Sequence, residues 1–204
     1  MQTPINSQLS LDIQHWLLLK DGDAQALETL YRLYSNALYN YGSKFTGDKD
    51  QIKECIQELF VTLWTRRNTI GSPANIKNYL FKSFRLTLFK KAALISKNQE
   101  YQDTEHYPFS VTLSIEDDLI RQEQTKAQKQ RLETAIHQLT DRQREAVFLK
   151  FYENLSYDEI AEVMGISVKA TYKIMARSLS FLRDNLSKDD LLLLISIFYL
   201  KLYN

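Results

Sequence analysis

Residues Ser156 to Arg183, SYDEIAEVMGISVKATYKIMARSLSFLR, constrain the fold more than any other part of the chain. Ser156 is suited to cap a helix, and Glu159, three positions on, is suited to return a hydrogen bond to the cap amide. That capping box defines a helix start. Ile160, Ala161 and Val163 give the helix an apolar side, and Ala161 is small where a second helix crosses closely. Gly165 stands where the chain must turn, at a position that often demands positive φ. Ser167 then caps a second helix.

Along the second helix, Val168, Tyr172, Met175, Leu179 and Leu182 recur at spacings of four and three, which predicts one apolar stripe. Lys169, Lys173 and Arg177 recur at spacings of four, away from that stripe. Between Val168 and Arg183 there are four basic residues and no acidic one. A helix anchored by an apolar stripe, with a cationic outer face, suits the major groove of DNA. Lys169, Ala170 and Lys173 near its N-terminus are the candidates for reading base edges, with Ile174 beside them and Arg177 in reach of a base or a phosphate. A helical hairpin with a solvated lysine face shows part of this pattern. The coincidence of capping box, glycine turn, small residue and one-sided charge favours a helix-turn-helix.

Few helix breakers (five Gly and three Pro in 204 residues) and long segments of 3.6-residue period predict an all-α protein. The single cysteine, Cys55, excludes an internal disulfide framework and fits a reducing cytoplasm. The start, MQTPINSQLSLDIQ, lacks the charged-then-apolar pattern of a signal peptide. The net charge of +1 argues against nucleic acid only until its distribution is considered. From Leu59 to Gln99 there is no Asp or Glu, yet the stretch holds Arg66, Arg67, Lys77, Lys82, Arg85, Lys90, Lys91 and Lys97. Glu100, Asp103, Glu105, Glu116, Asp117, Asp118 and Glu123 follow. The charge is segregated into blocks, and the average conceals two cationic surfaces.

Periodicity predicts a helix over Asp23 to Phe45, with Ala26, Leu27, Leu30, Leu33, Tyr34, Ala37, Leu38 and Tyr41 on one side. A second is expected over Asp50 to Trp64, and a third over Lys77 to Ile95, after a loop at 68–76 marked by Gly71 and Pro73. In the third, Tyr79, Phe81, Phe84 and Phe89 interleave with Lys and Arg. Residues 97 to 123 make an acidic linker, with some order expected around Tyr107 to Leu113. Gln124 to Leu139 is expected to be helical, and a capping box of Thr140 and Gln143 begins another helix leading to the hairpin. The expected architecture is two small helical domains, 1–96 and 124–188, joined by the linker, the second a four-helix domain with the helix-turn-helix. The tail at 189–204 is apolar from Leu191 to Leu200, too short to span a bilayer. It suits either a helix buried against one of the domains or a docking segment for a partner protein.

These motifs resemble those of bacterial sigma factors. LTDRQREAVFLKFYENLSYDEIAEVMGIS, Leu139 to Ser167, resembles their promoter-reading C-terminal domain. DKDQIKECIQELFVTLW, Asp48 to Trp64, resembles the helix with which they grip RNA polymerase. IKNYLFKSFRLTLFKKA, Ile76 to Ala92, resembles the helix that engages the −10 element. Two such domains with a short acidic linker are similar to the extracytoplasmic-function branch of the sigma-70 family, and the apolar tail is similar to members common in Bacteroidetes-type bacteria. The resemblance spans about Asp21 to Leu186.

The resemblance implies a protein that binds core polymerase, through its clamp and flap, and promoter DNA. It implies a polymerase contact at Asp50, Glu54, Gln57 and Glu58, an acidic-polar face suited to a basic coiled coil. It implies −10 contacts at Lys82, Arg85, Lys90 and Lys91 for phosphates and at Tyr79, Phe81 or Phe84 for bases, although most of these aromatics belong in a core. Arg67, Asn68, Thr69 and Ile70 correspond to the loop that holds a flipped −10 base. The linker would thread toward the RNA channel, mimicking nucleic-acid charge. An anti-sigma protein or the polymerase flap is a candidate to capture Leu191 to Leu200. The chain departs from the family where Phe84-Arg85-Leu86 replaces a pattern ending in Asn, and where Ala170-Thr171 replaces Thr-Val. Its promoter sequence is therefore not carried over.

Two other classes compete. A stand-alone helix-turn-helix regulator would bind a symmetric duplex by itself, but it leaves the acidic face at 50–58 and the acid-free stretch without a role. An enzyme is disfavoured. His15, His106 and His137 are scattered, and there is no phosphate-binding glycine loop and no Cys or His pair at metal spacing. No cofactor or metal is expected.

Overall fold

The computed structural model describes the backbone of residues 4–96, 107–111 and 123–203. Among the described residues every regular element is a helix: α1 (Pro4–Lys20), α2 (Ala24–Gly42), α3 (Lys49–Thr65), α4 (Ile76–Ser96), α5 (Glu123–His137), α6 (Asp141–Phe151), α7 (Tyr157–Met164), α8 (Val168–Asn185) and α9 (Lys188–Tyr203). The protein is all-α, and the helices fall into two compact units, Met1–Thr104 and Glu105–Asn204.

In the first unit, α2 and α3 begin where aspartate side chains take up orphan amides. Asp23 Oδ1 accepts from Gln25 N at 2.8 Å, and Asp48 Oδ1 accepts from Gln51 N at 3.0 Å. Leu30, Leu38 and Tyr41 of α2 meet Ile52, Cys55 and Leu63 of α3 and Leu80, Phe81 and Phe84 of α4 in one core. The close approach at its centre requires Gly42: an added Cβ would lie 2.8 Å from Phe84 and 2.9 Å from Ile52. Cys55 is sealed here, and burial pushes its thiol up to about 11.

Helix α1 is an element that periodicity does not predict. Its reason is visible in the burial pattern: Asp12, Trp16 and Leu19 face inward, while Leu11, Ile13, Leu17 and Leu18 are exposed. Apolar residues on every side erase the one-sided signal on which a periodicity argument depends. Inside, the Tyr34 hydroxyl donates to the Asp12 carboxylate. Burial, and secondly that bond, raise the Tyr34 pKa, so the phenol stays protonated.

The second unit packs Leu132, Ala135 and Ile136 of α5, Ala146 to Leu149 of α6, Ile160, Ala161 and Val163 of α7, and Met175 and Leu182 of α8. Of the linker at 97–123, only 107–111 and Glu123 lie among the described residues. Residues 107–111 are seated on α6 with Tyr107, Phe109 and Val111 buried. Phe109 N donates to Asp141 at 2.9 Å, Arg144 Nε donates to the Phe109 carbonyl at 2.6 Å, and the Tyr107 hydroxyl donates to the wholly buried Glu145 carboxylate. The tail forms α9, tied to α5 by Arg131 and Asp190 and buried at Leu194, with Leu192 exposed.

Candidate nucleic-acid interface

The capping box of α7 is formed as its sequence requires. Glu159 N donates to Ser156 Oγ at 3.2 Å, and Ser156 N donates to the Glu159 carboxylate at 2.7 Å. Gly165 has φ of +66°, and Ile166 N donates to the Ala161 carbonyl across the turn at 3.0 Å. This is a Schellman closure. Nothing lies within 4 Å of an added Cβ at Gly165, so glycine is required by backbone conformation and not by space. Ser167 Oγ accepts from Ala170 N at 3.2 Å and starts α8 directly after the turn.

The seat of α8 differs from the predicted apolar stripe. Met175 and Leu182 are buried as expected, but Val168, Tyr172 and Leu179 are exposed. The buried face is Thr171, Met175, Ser178 and Leu182. Two small hydroxyl residues let α8 approach its neighbours, and their polarity is satisfied within the helix. Thr171 Oγ1 donates to the Ser167 carbonyl at 3.3 Å, and Ser178 Oγ donates to the Ile174 carbonyl at 2.8 Å. Hydropathy alone misassigns such a face, because it credits a large apolar residue and discounts a hydroxyl that bonds its own backbone.

That rotation leaves the cations outward. Lys169, Lys173 and Arg177 are exposed, and Ala170 and Ile174 are half-buried beside them. Successive residues advance by about 100° around a helix, so Lys169 and Lys173 stand about 40° apart on one outer strip. The strip sits on a helix held by a core face, a capped start and a fixed turn. A phosphate-walled groove can engage it without reorganising the backbone.

In the first unit, Asp50, Glu54, Gln57 and Glu58 lie exposed on one side of α3. The cations of α4 are less uniform. Lys90 is exposed and Lys82 half-buried, but Arg85 is 8% exposed with its guanidinium 4.2 Å from the Phe89 ring centre. Arg85 thus does not stand with the exposed cations. Lys91 Nζ meets the Glu54 carboxylate at 2.5 Å, and that hydrogen bond is the main reason its pKa is raised. Phe81 and Phe84 are fully buried in the core, and Tyr79 packs edge-on against Trp16 at 5.2 Å. Leu86 is exposed.

The loop before α4 is positioned by α1. Trp16 Nε1 donates to the Gly71 carbonyl at 3.0 Å, and Lys20 Nζ reaches Ser72 Oγ at 3.5 Å. Arg67 folds back, its guanidinium 4.5 Å from the Trp64 ring centre and donating to the Trp64 carbonyl at 2.8 Å. Asn68 and Thr69 are exposed, and Ile70 is half-buried. Sequence reasoning misses the contribution of Trp16. The only signal for it is one tryptophan on a helix without a clear apolar side.

The fold and this surface define a helical DNA-binding protein of the helix-turn-helix class. Residues 129–182 match the family model of sigma-70, region 4. Over 176 residues the chain is 24% identical to RNA polymerase sigma factor YlaC of Bacillus subtilis (strain 168), covering 80% of this chain and 93% of that protein. It is 23% identical over 185 residues to the ECF RNA polymerase sigma factor SigX of the same organism, covering 81% and 90%. The fold is shared with CnrH, solved with the cytosolic domain of CnrY, at a TM-score of 0.56 and 17% identity over 85% of this chain and 96% of that one. It is also shared with RpoE, solved with the anti-sigma factor NepR from Bartonella quintana, at a TM-score of 0.51 and 18% identity over 79% and 97%. The chain is thus similar to sigma factors of the sigma-70 family, one of these relatives belonging to the extracytoplasmic-function branch.

Proposed function

We propose that the chain is a sigma factor of the extracytoplasmic-function branch and directs promoter-specific initiation through two separate DNA grips, one in each unit, when bound to core RNA polymerase. In the second unit, Lys169, Ala170, Lys173, Ile174 and Arg177 read the −35 element. In the first, residues 1–96, the contacts assigned to the −10 element are Arg67, Asn68, Thr69, Tyr79, Lys82, Lys90 and Lys91, with Arg85 acting behind them as a buried support for α4. Asp50, Glu54, Gln57 and Glu58 face the polymerase clamp. The observation that carries this reading is the outward strip of Lys169, Lys173 and Arg177 on a helix whose opposite face is fully engaged.

The protein acts by binding and performs no catalytic step of its own. It works beside polymerase, in the cytoplasm; none of the described helices is long and apolar enough to cross a membrane. An anti-sigma protein is a further partner, supported by the complex with the anti-sigma factor NepR in which the similar fold of RpoE was solved. Transcription with core polymerase on a genomic template library tests the assignment and yields both promoter elements. Failure to recover core polymerase in a pull-down would sink it. Specific binding of a symmetric duplex without polymerase would favour the stand-alone regulator instead.

A further inference from the structure

We propose that Tyr172 is a specificity-determining residue of the −35 surface, its ring contacting the 5-methyl group of a thymine in the major groove. The proposal rests on the −35 reading above and adds to it a residue whose spacing alone would assign it to the core.

Three observations carry it. First, Tyr172 is 53% exposed, although a large aromatic on an anchored helix would normally be covered by that anchorage. It lies about 60° around the helix from Lys169, on the border between the buried face and the cationic strip. Val168, one turn earlier, is 37% exposed and extends the same apolar edge.

Second, the ring is held in place. Tyr157, the first residue of α7, meets it edge-on with ring centres 4.5 Å apart. Tyr157 is in turn covered by Lys150, whose Nζ lies 5.3 Å from the ring centre and donates to the Leu155 carbonyl at 3.2 Å. An exposed tyrosine that only met solvent would gain nothing from this support. One that must present a fixed apolar surface needs it, because ordering a side chain at the moment of binding costs affinity.

Third, the neighbouring charges define the occupant. Lys169 and Lys173 lie together on the outward side of the ring, and no acidic residue occurs on α8 before Asp184. Cations that hold the groove walls bring base edges against this side of the helix. In the major groove the apolar group on a base edge is the thymine methyl.

The test uses the full chain with core polymerase and a pool of duplexes carrying a randomised −35 stretch. Wild-type holoenzyme should select a thymine at one position. Replacing that thymine with deoxyuridine, which lacks only the methyl, should weaken binding about fourfold, the equivalent of ~0.8 kcal/mol for one buried methyl. The same replacement should have no effect on Tyr172→Ala and a full effect on Tyr172→Phe, which keeps the ring. Equal binding of thymine and deoxyuridine by wild type overturns the proposal and needs no variant to fold. Loss of the methyl effect in Tyr172→Phe overturns it too, since the hydroxyl would then make the contact. Lys173→Ala separates this from the parent reading. If the thymine preference is absent but Lys173→Ala still lowers −35 binding, only the role of Tyr172 fails. If neither wild type nor Lys173→Ala distinguishes any −35 sequence, the −35 assignment itself fails.

Discussion

Lys91 of α4 and Glu54 of α3 form an ion pair at 2.5 Å, so the helix assigned to the −10 element and the acidic face assigned to polymerase meet at one point. The side chains are 29% and 62% exposed, so water and salt compete for the pair. A double-mutant cycle of Lys91→Ala and Glu54→Gln should give a coupling below about 1 kcal/mol in stability, falling further with added salt. A coupling of several kcal/mol in urea unfolding would show that the pair is a structural element of the unit and not a surface interaction.

Lys173→Ala with Arg177→Ala should abolish −35 recognition while leaving polymerase capture unchanged. Both side chains are exposed and neither belongs to the buried face of α8. Removing a side chain that reads a base should cost about 1–3 kcal/mol and relax preference at one position, whereas removing one that holds a phosphate should weaken all sequences alike. Competition binding of holoenzyme to promoter variants separates the two. An equal fall in polymerase binding would contradict the division of roles.

Trp16 is 1% exposed and holds the Gly71 carbonyl. Trp16→Ala should destabilise the first unit by about 3–5 kcal/mol through the cavity it leaves. Trp16→Phe should cost less, but it removes the N–H donor and should raise amide exchange in the 70–75 loop. Hydrogen exchange on both variants distinguishes loss of packing from loss of the loop anchor.

Asp190 is 2% exposed and accepts two hydrogen bonds from Arg131, each at 3.0 Å. Arg131 is the main cause that holds the Asp190 carboxyl below its ordinary value of 3.8. A carboxyl depressed in the folded state contributes stability above its unfolded pKa and loses it as pH falls through the folded value. Asp190→Asn should therefore be less stable than wild type near neutrality, and the gap should close in acid below about pH 4. Thermal melts across that range check the sign; a gap that widens in acid would contradict it.

Much of the candidate site is legible in the chain because its signals are local. Ser156 with Glu159, Thr140 with Gln143, and the positive φ of Gly165 depend on residues only a few positions apart, and the structure forms all three. The cationic spacing of Lys169, Lys173 and Arg177 follows from helix geometry alone. Less legible is anything that requires knowing what a side chain meets. The inward face of α8 runs through Thr171 and Ser178 and not through Tyr172 and Leu179. The charge of Arg85 and Lys91 is visible in the sequence. Burial over Phe89 and pairing with Glu54 are not.

The capped helix starts, the glycine turn, the all-α class, the segregation of charge and the family resemblance can all be read along the chain without coordinates. They are properties of neighbouring residues and of composition. Long-range packing was needed to establish that α1 exists as the anchor of the loop before α4, that residues 107–111 lie on α6, and which apolar residues are covered. One cause underlies all three. Burial depends on shape and on hydrogen bonds between distant segments, so Asp12 can face inward beside Tyr34 while four apolar neighbours on the same helix remain exposed.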